Sequence, residues 1–197
     1  MTTTDQETAA SKTLDTFPKL YARNAAMRGD RPAMRHKDRG IWQTWTWQQA
    51  WEIVRALAHS FDRLGVGPGD KVAIVGSNRP VMYWSIAAAQ TLRAVPVPVY
   101  ADAVAEEMGY VLENADVKLA VAQDQEQVDK ILSQKERLPL LTHIVYDEER
   151  GLTDYELEHL HAAAELLEHS RKALHERPAA ERIDALVESG QGSDVSI

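Results

Sequence analysis

The chain has 197 residues, no cysteine and a formal net charge of -8, with 44% hydrophobic and 26% charged residues. This is the composition of a globular protein with one domain, or one domain and an extra lobe. The acidity argues against nucleic acid and anionic membranes as partners, and the lack of cysteine excludes disulfides, thiolate metal sites and cysteine nucleophiles.

The first twelve residues are polar and include Asp5 and Glu7, so we expect a disordered lead at 1–12. They lack the basic end and the apolar core of a signal peptide. No uninterrupted apolar run in the sequence approaches the roughly 20 residues of a membrane span. The sequence therefore predicts a chain without a transmembrane segment, and we expect it in the cytoplasm.

A helix and a hairpin are predicted next. Thr16 can cap a helix whose apolar residues recur at helical spacing until Gly29. Two short runs rich in apolar residues then flank a turn at 37–40, Lys-Asp-Arg-Gly. Short strands around such a turn are typical of a hairpin, so we expect strands at 33–36 and 41–45.

The best-marked element is the helix that follows the hairpin. Thr46 and Gln49 have the spacing of a capping box, in which each side chain satisfies the other residue's free backbone N–H. An apolar stripe of helical period continues behind them, and Gly65 ends it.

From there strands and helices alternate. Runs such as Val-Ala-Ile-Val at 72–75 are apolar on both faces, as strands covered by helices on each side should be. Parallel neighbours require a crossover between them, and a helix separates each pair. We predict strands at 71–75, 95–99, 117–122 and 143–146, and helices at 80–92, 103–114 and 125–134. The fold class is therefore α/β, a mainly parallel sheet with helices on both faces.

After Gly151 the composition becomes charged and helical. The pattern predicts a helix from Tyr155 to His175, a break at Pro178 and a second helix to about Val187. Residues 195–197 look like the start of a strand. We divide the chain into a lead at 1–12, an α/β lobe at 13–150 and a helical segment at 151–197.

The turn Gly76-Ser77-Asn78 follows a strand and opens a helix, which is the setting of an anion site. It matches neither G-x-x-x-x-G-K-[ST] nor G-x-G-x-x-G. We therefore favour a tight turn in which Ser77 or Asn78 caps the helix. The glycine-rich stretch at 65–69 precedes a strand instead of following one, so we interpret it as a turn as well.

Two clusters of side chains each allow a specific functional role and a purely structural one. The tryptophans at 42, 45, 47 and 51 could stack on bases, but no basic residues flank them, so we favour packing. His161, Glu165 and His169 would share one face of the tail helix. That spacing could offer metal ligands, but the surrounding charges favour a solvated face, so we expect no metal site. The motifs H-E-x-x-H and G-x-S-x-G are absent, which excludes the corresponding metalloprotease and hydrolase sites.

Five stretches carry a family resemblance. They are TWTWQQ at 44–49, LGVGPGDKVAI at 64–74 continued by GSNRP at 76–80, AVPVPVY at 94–100, DQEQVDK at 124–130 and YDEERG at 146–151. In this order and spacing they resemble the adenylate-forming, AMP-binding enzyme superfamily. The last two stretches resemble its long-chain fatty acyl-CoA synthetases. The likeness covers nearly the whole chain after Thr16, with Val95 standing where the family usually has a small residue.

The resemblance implies a two-step reaction of ATP, Mg²⁺, a fatty acid and coenzyme A. The carboxylate attacks ATP to give acyl-AMP and pyrophosphate, and the thiol of coenzyme A then displaces AMP. In the family, charge on the phosphoryl oxygens is stabilised by a loop rich in Thr, Ser and Gly that ends in Lys. By the resemblance that loop would begin just past Ile197, and the ribose-binding acid and the late catalytic lysine would lie further on.

By the same resemblance, the nucleotide of coenzyme A passes near the turn after the strand at 95–99. Tyr100 and Ala101 are therefore candidate cofactor-binding residues, with a loop that merely covers the sheet edge as the alternative. We expect no catalytic residue in this chain.

We interpret the chain as the N-terminal part of an ATP-dependent long-chain fatty acid–CoA ligase, an acid–thiol ligase inactive on its own. The alternatives are a stand-alone oligomerisation or regulatory module derived from such an enzyme, and an unrelated nucleotide-binding α/β domain. The reading frame beyond Ile197 would discriminate between them. Apolar surface exposed on such a lobe would also allow the chain to form a homo-oligomer.

Overall fold

A five-stranded parallel sheet forms the centre of the computed structural model, which describes residues 14–155 and 157–194. The elements in chain order are α1 Phe17–Arg28, β1 Pro32–Asp38, β2 Ile41–Thr46, α2 Trp47–Arg63, β3 Lys71–Val75, α3 Pro80–Thr91, β4 Val95–Val99, α4 Ala105–Asn114, β5 Val117–Ala122, α5 Gln125–Ser133, β6 His143–Tyr146, β7 Leu160–Ala162, α6 Ala163–Ala173 and α7 Arg177–Ser189. The predicted lead at 1–12 and the strand predicted to begin at Val195 lie outside the described residues.

The strand order in the sheet is β4-β3-β5-β6-β7, and every neighbouring pair is parallel. The four strands predicted from the sequence are all present in this one sheet, as expected from the helix between each pair. The α/β prediction is therefore confirmed.

The fifth strand corrects the sequence analysis. Residues 155–175 were predicted as one helix, but Leu160–Ala162 pair with Ile144–Tyr146 and the helix begins only at Ala163. Three residues are too few to show a strand period, and the free edge of β6 supplies the pairing that local sequence does not reveal. His161 is therefore a strand residue and does not share a helix face with Glu165 and His169.

Helices cover both faces of the sheet. Successive residues of a strand point to opposite faces, so each central strand contributes side chains to two cores. Val72 and Ile74 belong to a core built with α2, α3, α6 and α7, whereas Ala73 and Val75 belong to a core built with α4 and α5. Each face of β3 is thus buried, which is why its sequence is apolar without alternation.

The long helix α2 begins and ends as its sequence predicts. The Thr46 hydroxyl accepts from the backbone N–H of Gln49 at 3.2 Å, and the side-chain oxygen Oε1 of Gln49 accepts from the backbone N–H of Thr46 at 3.0 Å. Gly65 follows the last turn with φ +85°, a conformation that disfavours side chains with a Cβ. The stripe behind this cap includes Leu57 and Phe61, both fully buried.

Beside the sheet, β1 and β2 form the antiparallel hairpin that was predicted, and Arg39 and Gly40 take positive φ at its turn. The packing predicted for the tryptophans is confirmed for three of the four. Trp45 contacts Trp84 edge-on, and Tyr21 contacts the rings at 47 and 51. For Trp42 the prediction was wrong, since its ring is 57% exposed beneath the guanidinium of Arg35.

The segment after α7 is tied to the start of α1 and the end of α3. Arg93 makes two hydrogen bonds of 2.9 Å to the carboxylate of Asp194, and the Gly192 N–H donates to Asp15 at 2.8 Å. Within the described residues, no helix is both long and apolar enough to cross a membrane.

Candidate functional site at the carboxyl edge of the sheet

The strand order creates a crevice at the carboxyl edge between β3 and β5. The helix that follows β3, α3, packs on one face of the sheet, and the helix that follows β5, α5, packs on the other. The two connecting loops therefore diverge, which is how ligand crevices form in open parallel sheets. The loops that bound this crevice are the turn at 76–78 and the segment at 123–124.

Gln123 fills this crevice. Its side-chain oxygen accepts from the N–H of Ser77 at 2.7 Å and from the hydroxyl of the same residue at 2.5 Å. Its side-chain nitrogen donates to Asp124 at 2.9 Å. A Cβ at Gly76 would lie only 2.8 Å from the Gln123 Cβ, so a glycine permits this close approach. The bonds that an external ligand would make at this turn are thus made by the chain itself.

The capping role predicted for Ser77 or Asn78 is wrong. The residue at the cap position of α3 is Arg79, and no side chain caps the helix there. The hydroxyl of Ser77 donates instead to the side-chain oxygen of Gln123. Gln123 is buried and directly follows β5, the strand beside β3. The tight turn itself, which was also predicted, is present.

Tyr100 lies at the end of β4, beside this closed crevice. It is 83% exposed and lines a cavity of about 250 Å³ together with the turn at 76–78, Met82 and Tyr83. An exposed phenol next to a mostly apolar cavity can pack against a flat or aliphatic ligand group. The structure thus places one candidate residue on a concave surface.

Ala101, the second candidate, contributes through its backbone. Its carbonyl oxygen accepts from the ammonium of Lys130 at 2.9 Å, and that ammonium also contacts Glu126 at 2.7 Å. Sequence reasoning did not single out Lys130 as a site residue, although it lies in the stretch at 124–130 that carried the resemblance. It joins α5 to the turn after β4 while its charge is paired with Glu126.

The histidines at 143 and 161 meet at the opposite edge of the sheet, where β6 and β7 begin. Nδ1 of His143 lies 3.0 Å from Nε2 of His161, so one ring donates to the other. Burial lowers the pKa of both rings, and each is lowered further by the positive charge of its neighbours. Among the residues that the structure describes, no group of three His, Asp or Glu side chains is placed to hold a metal ion.

Comparison with known proteins identifies the family of this chain. The family described as AMP-binding enzyme matches residues 21–185. The chain belongs to the AMP-binding enzyme family.

The relatives of this chain differ greatly in length. The chain is 32% identical over 120 residues to the long-chain-fatty-acid–CoA ligase ACSBG2 of Rattus norvegicus, and the aligned part is 60% of this chain and 18% of the ligase. It is 34% identical over 131 residues to the uncharacterized protein Rv1549 of Mycobacterium tuberculosis, covering 66% of this chain and 69% of that protein. The chain thus spans about a fifth of the length of the curated ligases that it matches.

Solved structures of CoA ligases share the fold. The anthranilate CoA ligase AuaEII aligns with a TM-score of 0.68 at 20% identity, covering 77% of this chain and 27% of that one. A putative long-chain-fatty-acid CoA ligase from Rhodopseudomonas palustris aligns with a TM-score of 0.65 at 24% identity, covering 77% and 36%. At these identities the likeness establishes the architecture and leaves the chemistry to be argued from residues.

Proposed function

We propose that this chain supplies the N-terminal portion of an ATP-dependent long-chain fatty acid–CoA ligase and forms no acyl-CoA on its own. The observation that carries the proposal is the family match over 21–185 in a sequence that holds no loop of Thr, Ser and Gly ending in Lys. Phosphoryl transfer depends on preorganised donors around the phosphates, and this chain has no such loop to provide them.

The lobe at 13–150 is proposed as the part of the AMP-binding domain that forms one wall of the coenzyme A site. Tyr100 offers an exposed ring for the nucleotide, and Lys130, whose ammonium is paired with Glu126, holds the turn after β4 through the carbonyl of Ala101. The segment at 151–197 would lead from this lobe to the phosphate loop of the complete enzyme.

Product formation tests the first part of the proposal. Purified residues 1–197 are incubated with a long-chain fatty acid, Mg·ATP and coenzyme A, and acyl-CoA is measured by chromatography beside a full-length ligase. We expect no product above the enzyme-free blank. Acyl-CoA whose yield grows with the concentration of this chain would overturn the proposal.

Coenzyme A binding tests the second part. We expect Tyr100→Ala to weaken binding of coenzyme A, measured by ligand-observed NMR. Tyr110→Ala is the matched control, because this tyrosine is 63% exposed on α4 and does not line the cavity. Equal effects of the two substitutions would show that the ring at position 100 has no role in binding.

A second candidate function is a stand-alone, non-catalytic module. It is favoured by the Mycobacterium tuberculosis relative, in which the 131 aligned residues are 69% of the protein, so that protein is a chain of only about 190 residues. Such a module would act by association. Large apolar side chains are exposed on α1 and the hairpin at Phe17, Met27, Ile41 and Trp42.

Sedimentation at micromolar concentration distinguishes the two candidates. Exposed apolar surface drives association at roughly 25 cal/mol per Å². A defined dimer that dissociates when Ile41 and Met27 are replaced by Ser would favour the module. Non-specific association or strong binding of a hydrophobic dye would instead favour a lobe whose natural cover is the rest of a ligase.

A further inference from the structure

The edge strand β7 is held in the sheet by few backbone bonds. It has three residues, and in the described part of the chain its one neighbour in the sheet is β6, with Leu160–Ala162 opposite Ile144–Tyr146. Short segments with few hydrogen bonds open locally at a lower free-energy cost than central strands do. Side-chain contacts between β6 and β7 therefore help to decide whether β7 stays in place.

One such contact joins the rings of His143 and His161. Nδ1 of His143 lies 3.0 Å from Nε2 of His161, and the ring centres are 5.1 Å apart. One of these nitrogens must donate a proton to the bond and the other must accept it. The bond can form when both rings are neutral or when one of them is protonated. Two protonated rings offer two donors and no acceptor, and their like charges repel.

The charged groups around this pair come from three neighbouring segments. They are Lys135 from the turn after α5, His159 from the segment before β7 and Glu165 from α6. Burial is the largest cause that lowers the pKa of both rings of the pair. The positive charges of Lys135 and His159 lower the pKa of His143 further, whereas Glu165 acts in the opposite direction on the pKa of His161.

Acid therefore weakens the attachment of β7. In a detached strand both rings can take a proton at the ordinary histidine pKa of 6.5, whereas their pKa in the folded state is lower. As the pH falls below about 6.5, the detached state binds more protons than the attached state, and this difference favours detachment. The stabilisation that the pair provides is complete above that pH and is lost progressively below it.

We propose that His143 and His161 form a pH-sensitive latch, which holds β7 in the sheet at neutral pH and releases it when both rings are protonated. Release uncovers the edge of β6, whose residues Ile144 and Val145 are fully buried while β7 is attached. The segment that leaves the sheet is Leu160–Ala162, directly before α6. The proposal concerns the conformation of this lobe and does not rest on the proposed ligase function.

Hydrogen exchange measured by mass spectrometry tests the latch, because it reports local opening in two parts of one sheet at once. The N–H of Ile144 donates to the carbonyl oxygen of His159 at 2.8 Å, so exchange of this amide reports detachment of β7. The N–H of Gln123 donates to the carbonyl oxygen of Val75 at 2.9 Å and serves as the reference in the centre of the sheet.

Residues 1–197 are labelled at micromolar concentration between pH 7.5 and pH 5.0, at constant ionic strength, and the rates are corrected for the intrinsic pH dependence of exchange. Between these pH values we expect the protection of the Ile144 amide to fall at least about tenfold more than that of the Gln123 amide. The fall should begin near pH 6.5.

His161→Gln separates the latch from a general effect of acid. Glutamine carries a donor and an acceptor and takes no charge, so it can keep a bond to His143 at either pH. In this variant, and in His143→Gln, the protection of the Ile144 amide should change with pH no more than that of the Gln123 amide. His175→Gln is the matched control, since this exposed histidine follows α6 and its replacement should leave the wild-type pH response intact.

His59 is the competing source of a pH response. It is buried on α2, its Nδ1 lies 2.9 Å from the hydroxyl of Ser170 on α6, and burial lowers its pKa. The latch predicts that His59→Gln leaves the differential fall at the Ile144 amide in place. The proposal is wrong if the Ile144 and Gln123 amides of the wild type lose protection in parallel, if His161→Gln keeps the wild-type fall, or if His59→Gln abolishes it.

Discussion

Replacement of Gln123 by methionine tests whether this side chain holds the carboxyl edge of the sheet together. The amide is 8% exposed and makes two hydrogen bonds to Ser77 and one to Asp124. Methionine has a similar length and no comparable acceptor. A typical intramolecular hydrogen bond contributes about 0.5–1.5 kcal/mol net, and water can reach the exposed serine. We therefore expect Gln123→Met to lower the free energy of unfolding by about 1–3 kcal/mol.

Urea unfolding followed by circular dichroism measures this change. Gln48→Met is the matched control, since among the described residues the side chain of Gln48 bonds to Glu52 alone, on the exposed face of α2, and this change should alter stability by less than about 0.5 kcal/mol. A double-mutant cycle with Ser77→Ala isolates the bond to the hydroxyl. We expect a coupling energy of about 0.5–1.5 kcal/mol. A coupling indistinguishable from zero would refute the claim that the two loops are joined through Gln123.

Two further substitutions probe charge and core. Asp147→Asn should stabilise the protein by about 1–3 kcal/mol at pH 7.5, since the folded pKa of about 6 exceeds the ordinary value of 3.8 and each pH unit corresponds to about 1.4 kcal/mol. Because the ionised form is disfavoured in the folded state, wild-type stability falls as the pH rises from about 4 to about 6 and is level above that, so the gain should vanish near pH 4. An equal gain in urea titrations at both pH values would contradict this. Phe61→Ala, at a fully buried position in α2, should cost about 3–5 kcal/mol, whereas Phe17→Ala, 61% exposed, should stay within about 0.5 kcal/mol in the same assay.

Much of the fold could be predicted from local sequence because its signals are local. The capping box at Thr46 and Gln49, the positive-φ glycine at 65 and the two-sided apolar strands each fix one element without reference to the rest. β7 could not be predicted, because its three residues form a strand only beside the free edge of β6.

The candidate site was predicted only in part. Tyr100 and Ala101 came from a motif, and the structure places the first on a concave surface, but whether they contact coenzyme A stays a prediction. No pattern in the sequence marks Gln123 as the residue that fills the crevice. The cavity between the hairpin, the start of α3 and the segment after β6 is lined by residues that lie up to about a hundred positions apart, so only the folded chain brings them together.

Carboxylate-dependent exchange between ATP and labelled pyrophosphate tests the central claim most directly, because it reports the adenylation step without requiring coenzyme A. Purified residues 1–197 should show only the background rate, since the chain carries no loop of Thr, Ser and Gly ending in Lys to stabilise the reacting phosphates. A full-length ligase in the same assay is the positive control. Exchange that rises with added fatty acid and saturates would contradict the account, and would show that this lobe holds adenylation chemistry of its own.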